Sequence, residues 1–349
     1  MSLTQVMYHQ IQRYRTLRSD HISALPIVIL MPHSACNCQC IMCDIWKGNK
    51  ALKQLTEDDI SGLLASLKKL GTQQVLMSGG EAILNPKFFH FCKMLKERGI
   101  KVSLLSTGLT LKKHAEQLRT WVNDTIVSLD GPEEIHDLIR NIPNAFQKLK
   151  EAVIHIKKKN KEYRITSRTV IHKLNFRYWQ SIIDDARKMG IDQVSFLPAD
   201  VSSHAFNREV LWSNKRQHEI LPLETELVEL KNVIEQIIEN NNSAFASHFI
   251  AERPEKIRKI YDYYSAFYGH TDFPHKKCNA PWVSAVIEAD GTVRPCFFHK
   301  GLGNIREESL LDVLNGTSGL AFRKRLDIDN DSTCVKCVCS LNLPLGAKI

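Results

Sequence analysis

The sequence lacks any uninterrupted apolar run close to the roughly 20 residues that a membrane-spanning helix requires. It also lacks a secretory signal pattern, because its first apolar run, residues 24–31, is short and contains Pro26. These absences predict a cytoplasmic protein that is neither exported nor embedded in a membrane. With 349 residues, the chain is long enough for one large domain and a smaller satellite.

A nucleic-acid recognition motif is also missing, although the formal net charge is +9. Much of that charge comes from lysines on one predicted helix, namely Lys148, Lys150, Lys157, Lys158, Lys159 and Lys161. Without interleaved aromatic residues, these lysines do not indicate nucleic-acid binding. They fit a solvated helix face or, alternatively, a docking patch for an acidic electron donor such as flavodoxin or ferredoxin.

The ten cysteines are concentrated in two groups, with four in residues 36–43 and five in residues 278–339. In a chain without an export signal, such groups favour metal binding over disulfides. Cys36, Cys40 and Cys43 have the spacing C-x3-C-x2-C. Three thiolates at this spacing can hold three irons of a 4Fe–4S cube and leave the fourth iron without a protein ligand.

Strand and helix patterns alternate from residue 27 to residue 198, which is typical of parallel β/α units. Six strands are predicted, at residues 27–31, 74–78, 101–106, 125–130, 163–171 and 193–198. Six are too few for a closed barrel of eight, so we expect an α/β fold with an open, partial (β/α)6 TIM-like barrel. Ligands of such sheets bind beyond the carboxyl ends of the strands.

Three of the predicted strand ends carry glycine and polar residues. The second is followed by Ser78-Gly79-Gly80-Glu81, where the glycines let the backbone approach a ligand and the glutamate can meet an ammonium group. The third ends in Ser106-Thr107-Gly108 and the fourth in Ser128-Leu129-Asp130-Gly131. Arg140, one helix further on, can bind a carboxylate through two hydrogen bonds.

The alternation stops after residue 198, and residues 199–277 contain only helical patterns. Cysteines return at residue 278, where a hairpin with the turn Asp290-Gly291 brings its flanking cysteines together. The cysteines of this second group are Cys278, Cys296, Cys334, Cys337 and Cys339. The isolated Cys92 lies in a predicted helix and is interpreted as a small buried apolar residue.

Together, these features resemble the radical S-adenosylmethionine (SAM) superfamily, whose cluster motif matches Cys36, Cys40 and Cys43. The resemblance covers residues 25–198 and implies a SAM molecule on the open iron. It implies that Gly79, Gly80 and Glu81 hold the methionine amino group, and that Ser128 and Arg140 contact SAM, chiefly its carboxylate. It further implies ribose contacts from Ser106 and Asp130, and adenine contacts from Met42 and Leu197.

The chemistry that this resemblance implies begins with one electron from the reduced cluster, which cleaves a sulfur–carbon bond of SAM. The resulting 5′-deoxyadenosyl radical then takes a hydrogen atom from the substrate. The protein orients these groups and excludes water. No residue of the sequence identifies itself as the general acid or base toward the substrate.

The C-terminal cysteines resemble the SPASM domain in its shortened twitch form, which carries one auxiliary 4Fe–4S cluster. The resemblance implies Cys278, Cys296, Cys334 and Cys337 as its ligands, with Cys339 as a substitute for one of the last pair. A fully ligated cluster leaves no iron for the substrate, so electron transfer is its expected part. Structural zinc is the alternative at this site, and Cys38 is the alternative ligand in the first loop.

The predicted organisation is a lead-in at 1–24, a radical SAM core at 25–198, a helical linker or lid at 199–277 and a twitch domain at 278–349. The predicted function is a radical SAM oxidoreductase that oxidises a small molecule, such as a sugar or aminocyclitol, by two electrons. One alternative is a maturase that modifies a ribosomal peptide or protein. The alternative from another class is a non-catalytic, zinc-stabilised binding protein.

Overall fold

Six parallel strands form the centre of this computed structural model, which describes residues 3–347. They stand side by side in chain order: β1 (Ile27–Leu30), β2 (Gln74–Met77), β3 (Lys101–Ser106), β4 (Asp124–Ser128), β5 (Arg164–Ile171) and β6 (Gln193–Pro198). All six predicted strands are present, with bounds that agree to within two residues. The parallel α/β sheet of a partial barrel is therefore confirmed. Met1 and Ser2 of the predicted lead-in, and Lys348 and Ile349 of the predicted twitch domain, lie outside the described residues.

Three more strands extend the same sheet beyond β1, namely β7 (Ser284–Ile287), β8 (Thr292–Arg294) and β9 (Gly303–Asn304). The strand β7 pairs parallel with β1 over its whole length, and the other two continue antiparallel. The predicted hairpin turn lies between β7 and β8, where Gly291 has a φ of +87° that favours glycine. The second cysteine region is thus built onto the barrel sheet.

One helix precedes β1 in the chain, and further helices lie between successive strands of the barrel. Their bounds are α1 (Leu3–Arg18), α2 (Glu57–Lys69), α3 (Phe88–Lys96), α4 (Ala115–Trp121), α5 (Glu133–Arg140), α6 (Ala145–Lys159) and α7 (Trp179–Met189). The predicted start of α2 is confirmed, because the Thr56 hydroxyl accepts a hydrogen bond from the Asp59 amide and the Asp59 carboxylate accepts one from Thr56. Cys92 is fully buried in α3, as the sequence predicts.

Beyond β6, the regular secondary structure is helical apart from the three added strands, and irregular segments connect these elements. The helices are α8 (Asn214–His218), α9 (Leu227–Asn240), α10 (Asn242–Ala246), α11 (Pro254–Ala266), α12 (Ala280–Val283), α13 (Leu310–Asn315), α14 (Thr317–Arg325) and α15 (Ser332–Val335). Within residues 199–277, all of which the structure describes, the sheet has no strand, as predicted. Between residues 3 and 347, none of the helices combines the length and apolar character that crossing a bilayer needs.

The two ends of the described chain are fastened together by a buried arginine, which the sequence did not indicate. Arg13 of α1 donates hydrogen bonds to the carbonyl groups of Pro344 at 2.6 Å and Ala347 at 3.0 Å. Arg323 of α14 donates similarly to the Asp20 carbonyl at 2.6 Å. The lead-in helix therefore packs against the C-terminal region.

Candidate active site

The cysteine loop follows β1, and each of its three motif sulfurs has an N–H donor. The Cys38 amide lies 3.5 Å from the Cys36 sulfur, and the Ile45 amide lies 3.5 Å from the Cys43 sulfur. The third donor is Nη1 of Arg140, 3.4 Å from the Cys40 sulfur. Such hydrogen bonds favour the thiolate, the form of cysteine that binds iron.

The loop sulfurs are spread too widely to share a single ion. Thiolates around one zinc, with bonds of about 2.3 Å, lie within about 4 Å of one another. Within residues 3–347, the one group of three candidate ligand atoms that all lie within 4.8 Å of one another is His299, Asp331 and Cys334. Since all ten cysteines are unpaired thiols, the donor set of the loop fits a cluster better than zinc or a disulfide.

Burial and hydrogen bonding shift the pKa values of the loop thiols in different directions. Burial raises the pKa of the Cys36 and Cys43 thiols to about 12, because a desolvated thiolate lacks compensating charge. The hydrogen bond from the Cys38 thiol, with help from Arg140, lowers the pKa of Cys40. The same hydrogen bond raises the pKa of Cys38, which is buried. Bound iron would supply the positive charge that Cys36 and Cys43 lack.

Glu81 follows β2 and is fully buried. Its Oε2 accepts hydrogen bonds from the Ser106 hydroxyl at 3.0 Å and from the amide and hydroxyl of Thr107 at 2.8 and 2.7 Å. Its other oxygen, Oε1, is buried without a partner. Burial raises the pKa of Glu81, while the three donors lower it. A buried carboxylate oxygen with a free lone pair fits a cationic ligand group, such as an ammonium.

The two glycines before Glu81 allow the strand end and the cysteine loop to touch. A Cβ on Gly80 would lie 2.2 Å from the Ala35 carbonyl oxygen and 3.0 Å from Cβ of Cys36. The Glu81 amide donates a hydrogen bond of 2.9 Å to that same carbonyl. Gly79 has a φ of +108°, a conformation that residues with a Cβ rarely adopt.

Arg140, the last residue of α5, connects the fourth strand end to the loop. Its guanidinium forms a buried ion pair with Asp130 besides its contact with Cys40. The loop backbone is bound to the same helix end, because the amides of Gln39 and Ile41 donate to carbonyls of α5 at 3.0 and 3.1 Å. The Nε of Arg140 is buried without a partner and fits an anionic ligand group.

The remaining predicted cofactor contacts lie at the same end of the sheet. Ser128 ends β4 and is half-buried, and Leu197 is half-buried on β6 opposite Val170. Met42 is buried within the cysteine loop. The structure thus brings Glu81 and Arg140 close to the loop sulfurs and places Ser128 and Leu197 at the surrounding strand ends.

Residues 200–216, which we call the strap, contact the cysteine loop, and sequence analysis did not predict this role. Arg208 of the strap is buried, pairs with Asp200, and donates to the Met42 carbonyl at 3.2 Å. Its guanidinium stacks 3.9 Å from the centre of the Trp212 ring. Trp212 in turn donates to the Asp44 carboxylate at 2.8 Å. The only sequence signal was this mixture of arginine and aromatic residues in a segment without periodicity.

The strap also reaches the second cysteine group. Phe206, whose φ is +60°, packs edge-on against Phe297 with ring centres 5.0 Å apart. Phe297 directly follows Cys296. One irregular segment therefore contacts the surroundings of both cysteine groups.

The second group gathers around the loop after β8. Four of its cysteines, Cys278, Cys296, Cys334 and Cys337, are half-buried, and Cys339 is exposed. Burial raises the pKa of Cys296 to about 11, although the amides of Phe298 and His299 donate to its sulfur. The Cys334 sulfur lies 3.4 Å from Nε2 of His299. These donors again suit iron-bound thiolates.

The close contact at Gly80 yields a first prediction. Gly80→Ala forces the loop away from β2, so the reconstituted protein should lose about four of about eight irons per chain. Gly62→Ala is the matched control, because Gly62 lies in α2 with no atom within 4 Å of its added Cβ. That variant should keep its iron and gain up to about 1 kcal/mol in unfolding free energy. The iron content of both variants is measured after anaerobic reconstitution, and full iron content in Gly80→Ala would contradict the prediction.

The strap yields a second prediction. Arg208→Met leaves Asp200 buried and unpaired, which should lower the unfolding free energy by about 3–5 kcal/mol and speed the release of iron to a chelator. Arg258→Met removes an exposed ion pair with Glu235 and should leave that free energy close to the wild-type value, because solvent screens such a pair. Denaturant unfolding and chelation kinetics measure both effects. Equal behaviour of the two variants would show that Arg208 does not hold the loop.

Comparison with known proteins agrees with this geometry. Residues 30–194 match the radical SAM superfamily, and residues 278–338 match SPASM, an iron–sulfur cluster-binding domain. Fe-coproporphyrin III synthase of Methanosarcina barkeri is 23% identical over 343 residues, covering 93% of this chain and 84% of its own. PqqA peptide cyclase of Bradyrhizobium diazoefficiens is also 23% identical, over 82% of this chain and 70% of its own.

Among solved structures, Streptococcus suis SuiB bound to its precursor peptide SuiA has a similar fold, with a TM-score of 0.67 and 15% identity. That likeness covers 94% of this chain and 73% of SuiB. These matches leave no support for a non-catalytic zinc-stabilised binding protein. The chain therefore carries a radical SAM superfamily domain in residues 30–194 and a SPASM domain for auxiliary cluster binding in residues 278–338, and it is an iron–sulfur enzyme that uses SAM.

Proposed function

We propose that this enzyme is a maturase that oxidises a peptide substrate by two electrons. The observation that carries the proposal is that two proteins similar to most of this chain have names that refer to a peptide. One is a PqqA peptide cyclase, and the other is SuiB bound to its precursor peptide. None of the relatives described above is named for a sugar or an aminocyclitol, so the small-molecule oxidation favoured by the sequence has less support. A tetrapyrrole is the second candidate, because Fe-coproporphyrin III synthase matches 93% of the chain.

An open groove beside the cysteine loop supports a peptide. Its volume is about 580 Å³, and it lies between residues 44–51 and the strap. Lys47, Lys50 and Arg216 line it together with Glu209. Val210, which is 81% exposed, adds an apolar side chain to the same wall. An open wall with both signs of charge and an apolar contact suits an extended polar chain.

The residues of the strand ends take the following roles in this proposal. Cys36, Cys40 and Cys43 would hold the first cluster, which together with bound SAM would supply the radical chemistry for hydrogen abstraction from the substrate. Glu81 binds the amino group of SAM through its unpartnered oxygen, and Arg140 with Ser128 binds the carboxylate. Ser106, which holds Glu81 in place, and Asp130, which pairs with Arg140, are the ribose contacts of this proposal, and Met42 and Leu197 are its adenine contacts.

The second cysteine group holds one auxiliary 4Fe–4S cluster in this proposal, through Cys278, Cys296, Cys334 and Cys337. Cys339 is exposed, whereas these four cysteines are half-buried, which supports them as the ligands in place of Cys339. The electron donor is an acidic protein such as flavodoxin or ferredoxin, which the net charge of +9 supports. The lysines of α6 contribute less than their number suggests, because Lys157 pairs with Asp192 and Lys159 with Glu116. A reducing compartment such as the cytoplasm suits ten free thiols.

The role of Glu81 is testable by SAM binding. Glu81→Gln keeps the size of the side chain but removes its charge, so SAM affinity should fall about 10- to 100-fold. Glu97→Gln, at an exposed position after α3, should bind SAM normally. Because burial raises the pKa of Glu81, wild-type affinity should weaken on acidification, and that pH dependence should vanish in Glu81→Gln. Anaerobic equilibrium dialysis measures this, and unchanged affinity would remove Glu81 from the site.

The substrate class is tested with the reconstituted full chain, SAM and a strong reductant. A precursor peptide encoded beside the gene should lose about two mass units for two hydrogens, as measured by mass spectrometry, whereas an aminocyclitol and an iron porphyrin should remain unchanged. Cys40→Ala should abolish release of 5′-deoxyadenosine. Cys337→Ala should still release it but form no product, and Cys92→Ala should behave as wild type. Oxidation of the aminocyclitol or the porphyrin instead of the peptide would refute the proposal.

A further inference from the structure

We propose that His299 is a positioning residue that sets the reduction potential of the auxiliary cluster, by donating a hydrogen bond from Nε2 to the sulfur of Cys334. This inference rests on the auxiliary cluster of the proposed function. It assigns a role to a histidine that lies outside the cysteine pattern. Nothing in the spacing of the cysteines requires a histidine at this position.

His299 is held in place from several sides. Its Nε2 lies 3.4 Å from the Cys334 sulfur, and its side chain is only 11% exposed. Its ring packs edge-on against Phe322 with centres 4.9 Å apart. Its backbone carbonyl accepts a hydrogen bond of 2.9 Å from Arg294. The imidazole therefore has a fixed direction toward the sulfur.

Cys334 is fixed as firmly as its donor. It lies in α15, where the Asp331 carboxylate caps the helix by accepting from the Cys334 amide at 2.9 Å. The same Asp331 oxygen lies 3.8 Å from Nε2 of His299, beyond a normal hydrogen bond. The sulfur is thus the nearer acceptor for the imidazole N–H.

Other donors surround the same group of thiols. The amides of Phe298 and His299 donate to the Cys296 sulfur, so one residue serves two cysteines through its backbone and its side chain. Lys276 is half-buried beside Cys337 and Cys334, with its ammonium bonded to the Val335 carbonyl at 3.0 Å. Hydrogen bonds and positive charge at the sulfurs stabilise the reduced, more negative cluster and raise its potential. A raised potential suits a cluster that accepts electrons.

The experiment isolates the auxiliary cluster in the full-length chain. The first cluster is removed by combining three substitutions, Cys36→Ala, Cys40→Ala and Cys43→Ala. This protein is then reconstituted anaerobically with iron and sulfide. The cluster is then titrated potentiometrically, and its reduced form is followed by electron paramagnetic resonance. In this background His299→Leu removes the donor, His299→Gln retains an N–H donor, and His270→Leu changes an exposed histidine that pairs with Glu224.

We expect the reduction potential of the auxiliary cluster to depend on whether residue 299 provides an N–H donor. All variants should keep about four irons per chain. At a fixed potential, the ratio of reduced to oxidised cluster should fall about tenfold in His299→Leu, which corresponds to about 59 mV for one electron. His299→Gln should recover most of this loss, and His270→Leu should match the parent.

Three results would overturn the inference. An unchanged potential in His299→Leu would show that the hydrogen bond has no effect on the cluster. Loss of iron in both His299 variants would make His299 a ligand, as its closeness to Asp331 and Cys334 would also allow for a single ion. A parent without any cluster would remove the auxiliary site itself, a failure of the proposed function that is distinct from a failure of His299.

Discussion

The buried guanidinium of Arg140 is the interaction on which the arrangement of the strand ends depends. It sets one positive charge between Asp130 and the sulfur of Cys40. Removing one partner of such a buried pair costs several kcal/mol, so the helix end, the fourth strand end and the cysteine loop are held as one unit. The close approach of Gly80 to Ala35 adds the second strand end to the same unit. A ligand that enters this end of the sheet finds its contacts already assembled.

The parts that were predictable from the sequence are those with local signals. The six barrel strands follow from short apolar runs between turns, and the cap at Thr56 follows from its spacing to Asp59. The cysteine loop and Glu81 were predicted as site residues because their residue types and spacing carry chemistry by themselves. Asp130 was placed inside a strand, but β4 ends at Ser128, and Asp130 turns instead toward Arg140.

The parts that escaped prediction depend on contacts between distant segments. The run Ser284–Ile287 has the pattern of any buried strand, and its partner β1 lies more than 250 residues earlier in the chain. Arg208 lies in a segment without periodicity, and its role appears only when Asp200 and Met42 meet it. His299 is one of 14 histidines, and no sequence spacing distinguishes it from the others.

The parallel pairing of β7 with β1 has a consequence for the rate of electron transfer between the two cysteine groups. Leu30 lies opposite Ile287. The first cysteine group follows β1 in the chain, and the hairpin that begins with β7 lies between Cys278 and Cys296 of the second group. Electron tunnelling slows exponentially with distance, so a flexible hinge between the groups would make the transfer rate vary from one turnover to the next. A hydrogen-bonded register cannot slip by one residue without moving the buried Val28 and Leu30 of β1 to the opposite face of the sheet. If the two groups hold clusters as proposed, this pairing would keep the distance between them, and with it the rate of electron transfer, constant.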